Sequence, residues 1–160
     1  MSVREKEFQI PFQGDVGDRQ HWMMILAKAQ LESLENAWSW WGEKPSYRHV
    51  RGPEIGLVML RGREDGKGDA FHLGEMTVAR CSVQIDGGNV GCAYVIGKSP
   101  RHAELAALFD ALLQNPEYRD LLRKEVIYPL EQIQQHRRNM EDKKVSPTRV
   151  EFFTMVRGEG

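Results

Sequence analysis

Residues 78–96 read VARCSVQIDGGNVGCAYVI. Two runs rich in strand-forming residues flank Asp86-Gly87-Gly88-Asn89, the composition of a tight hairpin turn. With Gly87 and Gly88 as the two turn residues, Ile85 opposes Val90 and Val83 opposes Cys92. Cys81 then opposes Tyr94, and Ala79 opposes Ile96. Side chains alternate across a strand, so these eight share one apolar face, expected to meet the core. The other face carries Met76, Val78, Arg80, Ser82 and Gln84 on one strand, with Gly91, Ala93, Val95 and Gly97 on the other. Such a face is either ordinary solvent-facing sheet or, being built of small residues, one that another backbone approaches closely. Cys81 sits diagonal to Cys92 at about 7–8 Å in this register, too far for easy bridging, so both read as buried thiols.

Helices are expected on both sides of the hairpin. After it, Ser99 and Pro100 supply an N-cap and a first-turn proline, followed by a stripe of Leu105, Leu108, Phe109, Leu112 and Leu113. Asn115 and Pro116 repeat the start signal for a second helix that buries Leu121, Leu122 and Val126. Pro129 is expected to break or kink it, with a sparse stripe running on to about Lys144. Before the hairpin, residues 47–51 form a short strand, Gly52-Pro53 a turn and residues 55–61 a second strand. Residues 63–69 are a polar loop, and the chain is extended again from Phe71.

Residues 1–17 read as a flexible tail, and residues 18–160 as a single domain. Asp18 can cap a helix whose stripe is Trp22, Ile25, Leu26 and Ala29. Leu31, Leu34, Trp38 and Trp41 lie well round from that stripe, which predicts a break near Gln30 and two short helices. The cluster Trp38-Ser39-Trp40-Trp41 fits either core packing at a helix end or an interface anchor. At the far end, residues 148–158 (TRVEFFTMVRG) read as a closing strand. Val150, Phe152 and Val156 point one way, Phe153 and Met155 the other, so something must cover both sides. A central strand under its own helices and a strand that binds another subunit both answer that need. The order of elements predicts an α+β domain: a mainly antiparallel sheet, N-terminal helices, two helices in the C-terminal half and a closing C-terminal strand.

With 160 residues and a net charge of −1, the chain has none of the basic excess of a nucleic-acid binder or a protein held to anionic membranes. It shows no signal peptide and no membrane-length apolar run, which suits a cytoplasmic protein. Two cysteines without CxxC spacing offer neither a disulfide framework nor a zinc site. His102-Ala103-Glu104 resembles the H-x-E of zinc deaminases, but the matching Pro-Cys-x-x-Cys is missing, and residues two apart do not share a helix face. A structural or capping role suits His102 better. No nucleophile elbow or Walker loop is present. Arg51, Arg80, Arg149 and Arg157 lie on or beside strands, where a guanidinium pairs with phosphonate, phosphate or carboxylate. Glu54, Glu75 and Glu151 are the intramolecular carboxylates that would otherwise engage them.

Five stretches in order carry a resemblance: RQHWMMILA, RGPEIGLVML, GEMTVARCSV, GCAYVIGKSPRHAELAALFDAL and the closing TRVEFFTMVRG. Together they resemble the PhnG family, the G subunit of the bacterial carbon–phosphorus lyase core complex, over roughly residues 18–158. The resemblance implies assembly with H-, I- and J-type subunits and a functional link to an L-type ATP-binding subunit. It implies a role in displacing adenine from ATP by methylphosphonate, with the later C–P cleavage left to the iron–sulfur J subunit. No metal or cofactor is expected on this chain alone, ATP being a substrate of the assembly, and no catalytic residue is assigned. Candidate contacts to substrate or partner are Arg51, Glu54, Arg80, His102, Glu104, Arg149, Phe153, Met155 and Arg157. Trp38, Trp40 and Trp41 are candidate interface residues. The rival readings are an independent phosphonate- or nucleotide-binding regulatory domain, and a stand-alone enzyme in which His102, Glu104 and an arginine converge.

Overall fold

The computed structural model describes residues 15–42, 44–63 and 68–145. Helices α1 (Val16–Lys28) and α2 (Leu31–Trp40) precede strands β1 (Tyr47–Gly62), β2 (Phe71–Ile85) and β3 (Val90–Ile96). Helices α3 (Pro100–Leu113), α4 (Pro116–Leu122) and α5 (Tyr128–Val145) follow. The sheet is antiparallel with strand order β1-β2-β3, and α3 lies across β2 and β3. The α+β class with a mainly antiparallel sheet is therefore as the sequence predicts. The expected closing strand at 148–158 lies outside the described residues, and the fold does not close on a strand within them: β3 is the last strand and precedes α3, α4 and α5.

The local signals for helices hold well. The chain is extended at Ala29 and Gln30, with ψ of 156° and 142°, so the two apolar stripes belong to two helices. Asp15 rather than Asp18 caps α1, accepting the Gly17 N–H at 3.0 Å; Asp18 sits in the first turn and meets Arg123 at 3.4 Å. Ser99 accepts from the His102 N–H, and Asn115 from the Glu117 N–H, each with proline in the first turn behind it. Pro129 does not end its helix. A π turn over Arg123–Ile127 joins α4 to α5, and the Tyr128 N–H reaches the Arg123 carbonyl. The extra residue in that turn moves aside the carbonyl that the proline ring would otherwise strike.

Two expectations about the sheet are corrected. Residues 47–62 are one strand: Gly52-Pro53 is an irregularity in it, since register shifts fall between His49 and Arg51 and between Arg51 and Glu54. Each shift inserts one extra residue into β1 opposite β2, the geometry of a bulge. The hairpin register also differs. Ile85 donates its N–H to Asn89 and its carbonyl accepts from Gly88, which leaves three residues in the loop, with Gly87 and Gly88 at φ of 100° and 90°. Val83 therefore pairs with Gly91, Cys81 with Ala93 and Ala79 with Val95. One added loop residue turns every β3 side chain over. Ala79, Cys81, Val83 and Ile85 are buried as expected, but they share the core face with Gly91, Ala93 and Val95, while Tyr94 and Ile96 are exposed. Cys81 is buried and Cys92 half-buried, on opposite faces, and both are free thiols.

The helix above explains why β3 takes this register. A Cβ on Gly91 would stand 1.9 Å from the Ala107 carbonyl oxygen and 2.6 Å from the Ala111 nitrogen. Only glycine lets α3 settle so close, and the small face does admit another backbone, that of the chain's own helix. Leu105, Leu108, Phe109, Leu112 and Leu113 form the centre of the core, joined by Trp22, Leu26 and Leu34. Within it Asp110 is fully buried (0 % exposed). Its carboxylate accepts two bonds from Arg19, at 2.9 and 3.2 Å, one from the Trp22 indole at 2.9 Å and one from the Cys92 N–H at 3.0 Å. The bond to Asp110 holds the Arg19 guanidinium above its ordinary pKa against the opposing effect of burial. One carboxylate thus ties α1, α3 and β3 together.

Candidate functional site

Where α3 begins, five polar side chains from three elements converge. Glu104 accepts from Arg101 at 2.8 Å on one oxygen, and on the other meets His49 Nε2 at 2.8 Å and the Tyr47 hydroxyl at 3.2 Å. Arg101 also grips Glu35 of α2 at 2.9 and 3.3 Å. Alternation on β1 brings Tyr47 and His49 to the helix side, and the Ser99 cap orients the first turn of α3 toward them. Burial works against the Glu104 charge, but the bonds from Arg101, His49 and Tyr47 outweigh it and hold its carboxyl below the ordinary value. Burial and the neighbouring carboxylate push Tyr47 up. Burial chiefly pushes the Cys81 thiol up to about 11, so it is protonated at neutral pH and a poor nucleophile.

His102, two residues from Glu104, does not join this cluster. It is buried and its Nε2 lies 3.0 Å from the Leu26 carbonyl, a tie between α3 and α1. His102, Glu104 and an arginine therefore do not converge as a catalytic set; the histidine beside Glu104 is His49, which sequence spacing does not reveal. Arg51, Glu54 and Arg80 do come together, on the outer face of the sheet. Arg80 bonds Glu54 at 2.6 Å, and Arg51 stands 3.6 Å from the same oxygen. Both arginines thus take the intramolecular partner that the sequence offers. Arg149, Phe153, Met155 and Arg157 lie outside the described residues.

The tryptophans divide. Trp38 packs edge-on against Phe109 at 5.8 Å and Trp41 against Tyr118 at 5.4 Å, both within the core. Trp40 is 53 % exposed and lines a groove of about 310 Å³ between α2 and α5 with Val126, Pro129 and Ile133. A more polar concavity of about 400 Å³ is bordered by His21, Asp120, Arg123, Lys124, Tyr128 and Glu131. Among the described residues no three metal-ligating side chains converge, and no helix is long and apolar enough to cross a membrane.

Among the described residues, one extended exposed apolar surface is not singled out by the sequence reading. Beyond the end of β3, β1 and β2 run on as a two-stranded ribbon. Leu57 (66 % exposed) and Met59 share one face, which Ile55 opposite Ala79 leads into, and Val58 and Leu60 the other, with Phe71 and Leu73 along the neighbouring strand. Tyr94 and Ile96 (74 % exposed) continue the outer face onto β3. The signal in the sequence is the run IGLVML at 55–60, apolar at both parities, which a strand with one solvated face does not need.

Residues 17–158 match the family model described as "Phosphonate metabolism protein PhnG". The alpha-D-ribose 1-methylphosphonate 5-triphosphate synthase subunit PhnG of Rhizobium meliloti (strain 1021) is 44 % identical over 147 residues, covering 90 % of this chain and 92 % of that relative.

Proposed function

The chain belongs to the PhnG family, and on that premise we propose that it is an accessory subunit of the carbon–phosphorus lyase machinery, without a complete active site of its own. It works in the cytoplasm beside H-, I- and L-type subunits in the step that moves the ribose triphosphate of ATP onto methylphosphonate. A phosphonate oxygen bonds to the ribose anomeric carbon, the N-glycosidic bond breaks, and adenine leaves with the electron pair and a proton. The J-type subunit belongs to the same assembly and performs the later C–P cleavage. ATP is a substrate of the complex, and this chain contributes surface.

The exposed apolar ribbon is the observation that carries this reading. Contiguous apolar surface of this kind marks a place where another macromolecule packs. The paired state of Arg51, Arg80, Arg101 and Glu104 supports the same view, since each already has a partner within the chain. Trp40 and the segment 148–158 are further docking candidates. Should the chain also touch substrate, an arginine on phosphate suits it better than a general base.

Co-expression with the I-type partner, followed by light scattering on a sizing column, tests the proposal. A stable complex of the two chains is the expected result. A well-behaved monomer that ignores its partner would favour a self-contained phosphonate- or nucleotide-binding domain instead.

A further inference from the structure

We infer that the outer face of the sheet holds the triphosphate of a sugar triphosphate ester, gripped by Arg48, Arg51 and Arg80, while other subunits act on the sugar. The inference rests on the subunit reading above and gives that subunit a ligand.

Two bulges build the face. In a regular strand Arg51 would share the helix side with Tyr47 and His49. The extra residue between His49 and Arg51 turns Arg51 outward, opposite Ser82, and the one between Arg51 and Glu54 turns Glu54 outward, opposite Arg80. Arg48 pairs with Gln84, so three successive outward positions of β1 are Arg48, Arg51 and Glu54. They face Gln84, Ser82 and Arg80, on the side of β2 opposite the buried Cys81, Val83 and Ile85. Bulges that re-aim side chains in this way are concentrated next to functional sites.

Charge and donors select an anion. Glu54 accepts from Arg80 at 2.6 Å, and the same oxygen is the one 3.6 Å from Arg51. Arg48 has a neutral partner, the Gln84 amide oxygen at 2.8 Å. A guanidinium has five N–H donors, so these bonds fix the three groups and leave most of their donors unused. Ser82 in the middle row adds a hydroxyl whose acceptor is the Cys92 sulfur at 3.6 Å, a weak one. The face thus sets three cations against one carboxylate. Asp86 in the hairpin and Lys98 beyond β3 stand at its two ends and offset each other, while Glu75, opposite Met59, lies on the helix-side face. In the sequence that links β1 to β2, Arg61, Arg63 and Lys67 offset Glu64, Asp65 and Asp69. At the β3 edge Arg19 and Asp110 satisfy each other, and Gln114, which donates to the Val90 carbonyl at 2.7 Å, is neutral. The positive surplus therefore stays on the Arg48–Arg80 face.

Length selects the kind of anion. Outward positions along a strand are about 7 Å apart, so the three rows span about 13 Å. A single phosphate reaches neighbouring rows at most; a chain of phosphates reaches all of them. Tyr94 continues the Arg80 row onto β3, and its exposed ring is a platform for the sugar end. In the transfer proposed above, bonds change only at the anomeric carbon. The triphosphate passes through unaltered, which makes it the handle for a subunit that holds rather than catalyses.

The test titrates the full chain, alone and in complex with its I-type partner, with inorganic tripolyphosphate, ATP and orthophosphate in magnesium-free buffer by calorimetry. Tripolyphosphate should bind about tenfold more tightly than orthophosphate or better, and ATP at least as tightly as tripolyphosphate. Arg48→Gln with Arg51→Gln should weaken tripolyphosphate binding about 100-fold, with the melting temperature within a few degrees, since both side chains are exposed. Arg137→Gln with Arg138→Gln on α5 removes the same charge and should change affinity by less than about twofold. Glu54→Gln keeps an acceptor for Arg80 but removes the competing charge, so it should tighten binding about threefold, the reverse of losing a merely structural ion pair. Bound tripolyphosphate should also slow the reaction of Cys92, in the Arg51 row, with a thiol reagent. Equal losses in the α5 control, or orthophosphate bound as tightly as tripolyphosphate, would overturn the site as general attraction of anions. Tripolyphosphate bound and ATP refused would overturn the ester as its ligand. A chain that joins its partner, yet shows no binding that the Arg48 and Arg51 changes alter, would overturn this inference and leave the subunit reading standing. A chain that binds tripolyphosphate through those arginines but joins no partner would overturn the subunit reading instead.

Discussion

The sheet beneath α3 and the ribbon beyond it share strand β2 and obey opposite rules. Under the helix, β2 hides Ala79, Cys81, Val83 and Ile85, and Gly91 of β3 gives up its side chain to let a helix backbone in. Past that point β1 and β2 hold Leu57, Met59 and Leu73 in water. The composition of the two regions is similar; only the presence of a covering element differs. Apolar residues in the first region serve folding, and in the second they serve association, so substitutions should separate the two kinds of effect.

The largest effect should come from Gly91→Val. With carbonyl and amide atoms of α3 within 2.6 Å of the new Cβ, the helix must lift from the sheet, at about 3 kcal/mol or more of stability. Thermal melts that barely move would show that the close approach is not needed. Asp110→Ala comes next. It removes the carboxylate to which the Arg19 guanidinium, the Trp22 indole and the Cys92 N–H donate, with a loss of about 3–5 kcal/mol in chemical denaturation expected. A change below about 1 kcal/mol would make the carboxylate an incidental occupant of the core.

On the ribbon, Leu57→Ser should change stability by no more than about 0.5 kcal/mol, because the side chain is already in water. Its cost should fall on partner binding, by about tenfold. A large loss of stability in the lone chain would erase the contrast between the regions. The Glu104 cluster offers a smaller, pH-dependent test. Its folded pKa is depressed, so its contribution is complete above the ordinary value of 4.5 and is lost as pH falls through the lower folded value. Glu104→Gln should lower stability at pH 7 and flatten that acid limb; superimposable pH profiles would contradict the role of the cluster. Finally, Cys81, with its thiol pushed up to about 11, should react with a thiol reagent more slowly than the half-buried Cys92. Equal rates would mean that the core face opens readily.

Local chemistry was legible in the residues, and long-range geometry was not. Ser99-Pro100 and Asn115-Pro116 announce their helices because capping involves neighbours within three positions. The stripe of α3 is similarly self-evident. The β3 register escaped because two glycines with positive φ support either a two- or a three-residue loop, and the choice is made by α3 docking on Gly91, a contact made sixteen and twenty residues further along the chain, at Ala107 and Ala111. Gly52-Pro53 has turn composition but sits inside a strand, where neighbouring β2 converts it into an irregularity of register. The Glu104 site draws on residues 35, 47, 49, 101 and 104, a set that no local spacing joins. The sequence around His102 suits a structural role, and its bond to the Leu26 carbonyl is of that kind.

Asp110 and Gln114 have a consequence beyond the stability of the core. By taking the outward N–H of Cys92 and the outward carbonyl of Val90 they make the two ends of the sheet unequal, one partly occupied and one open among the described residues. A sheet with two live ends can propagate, each added chain exposing a new edge like the last. A sheet with one live end can only terminate: the first strand to arrive uses up its valence, and growth stops at a defined stoichiometry.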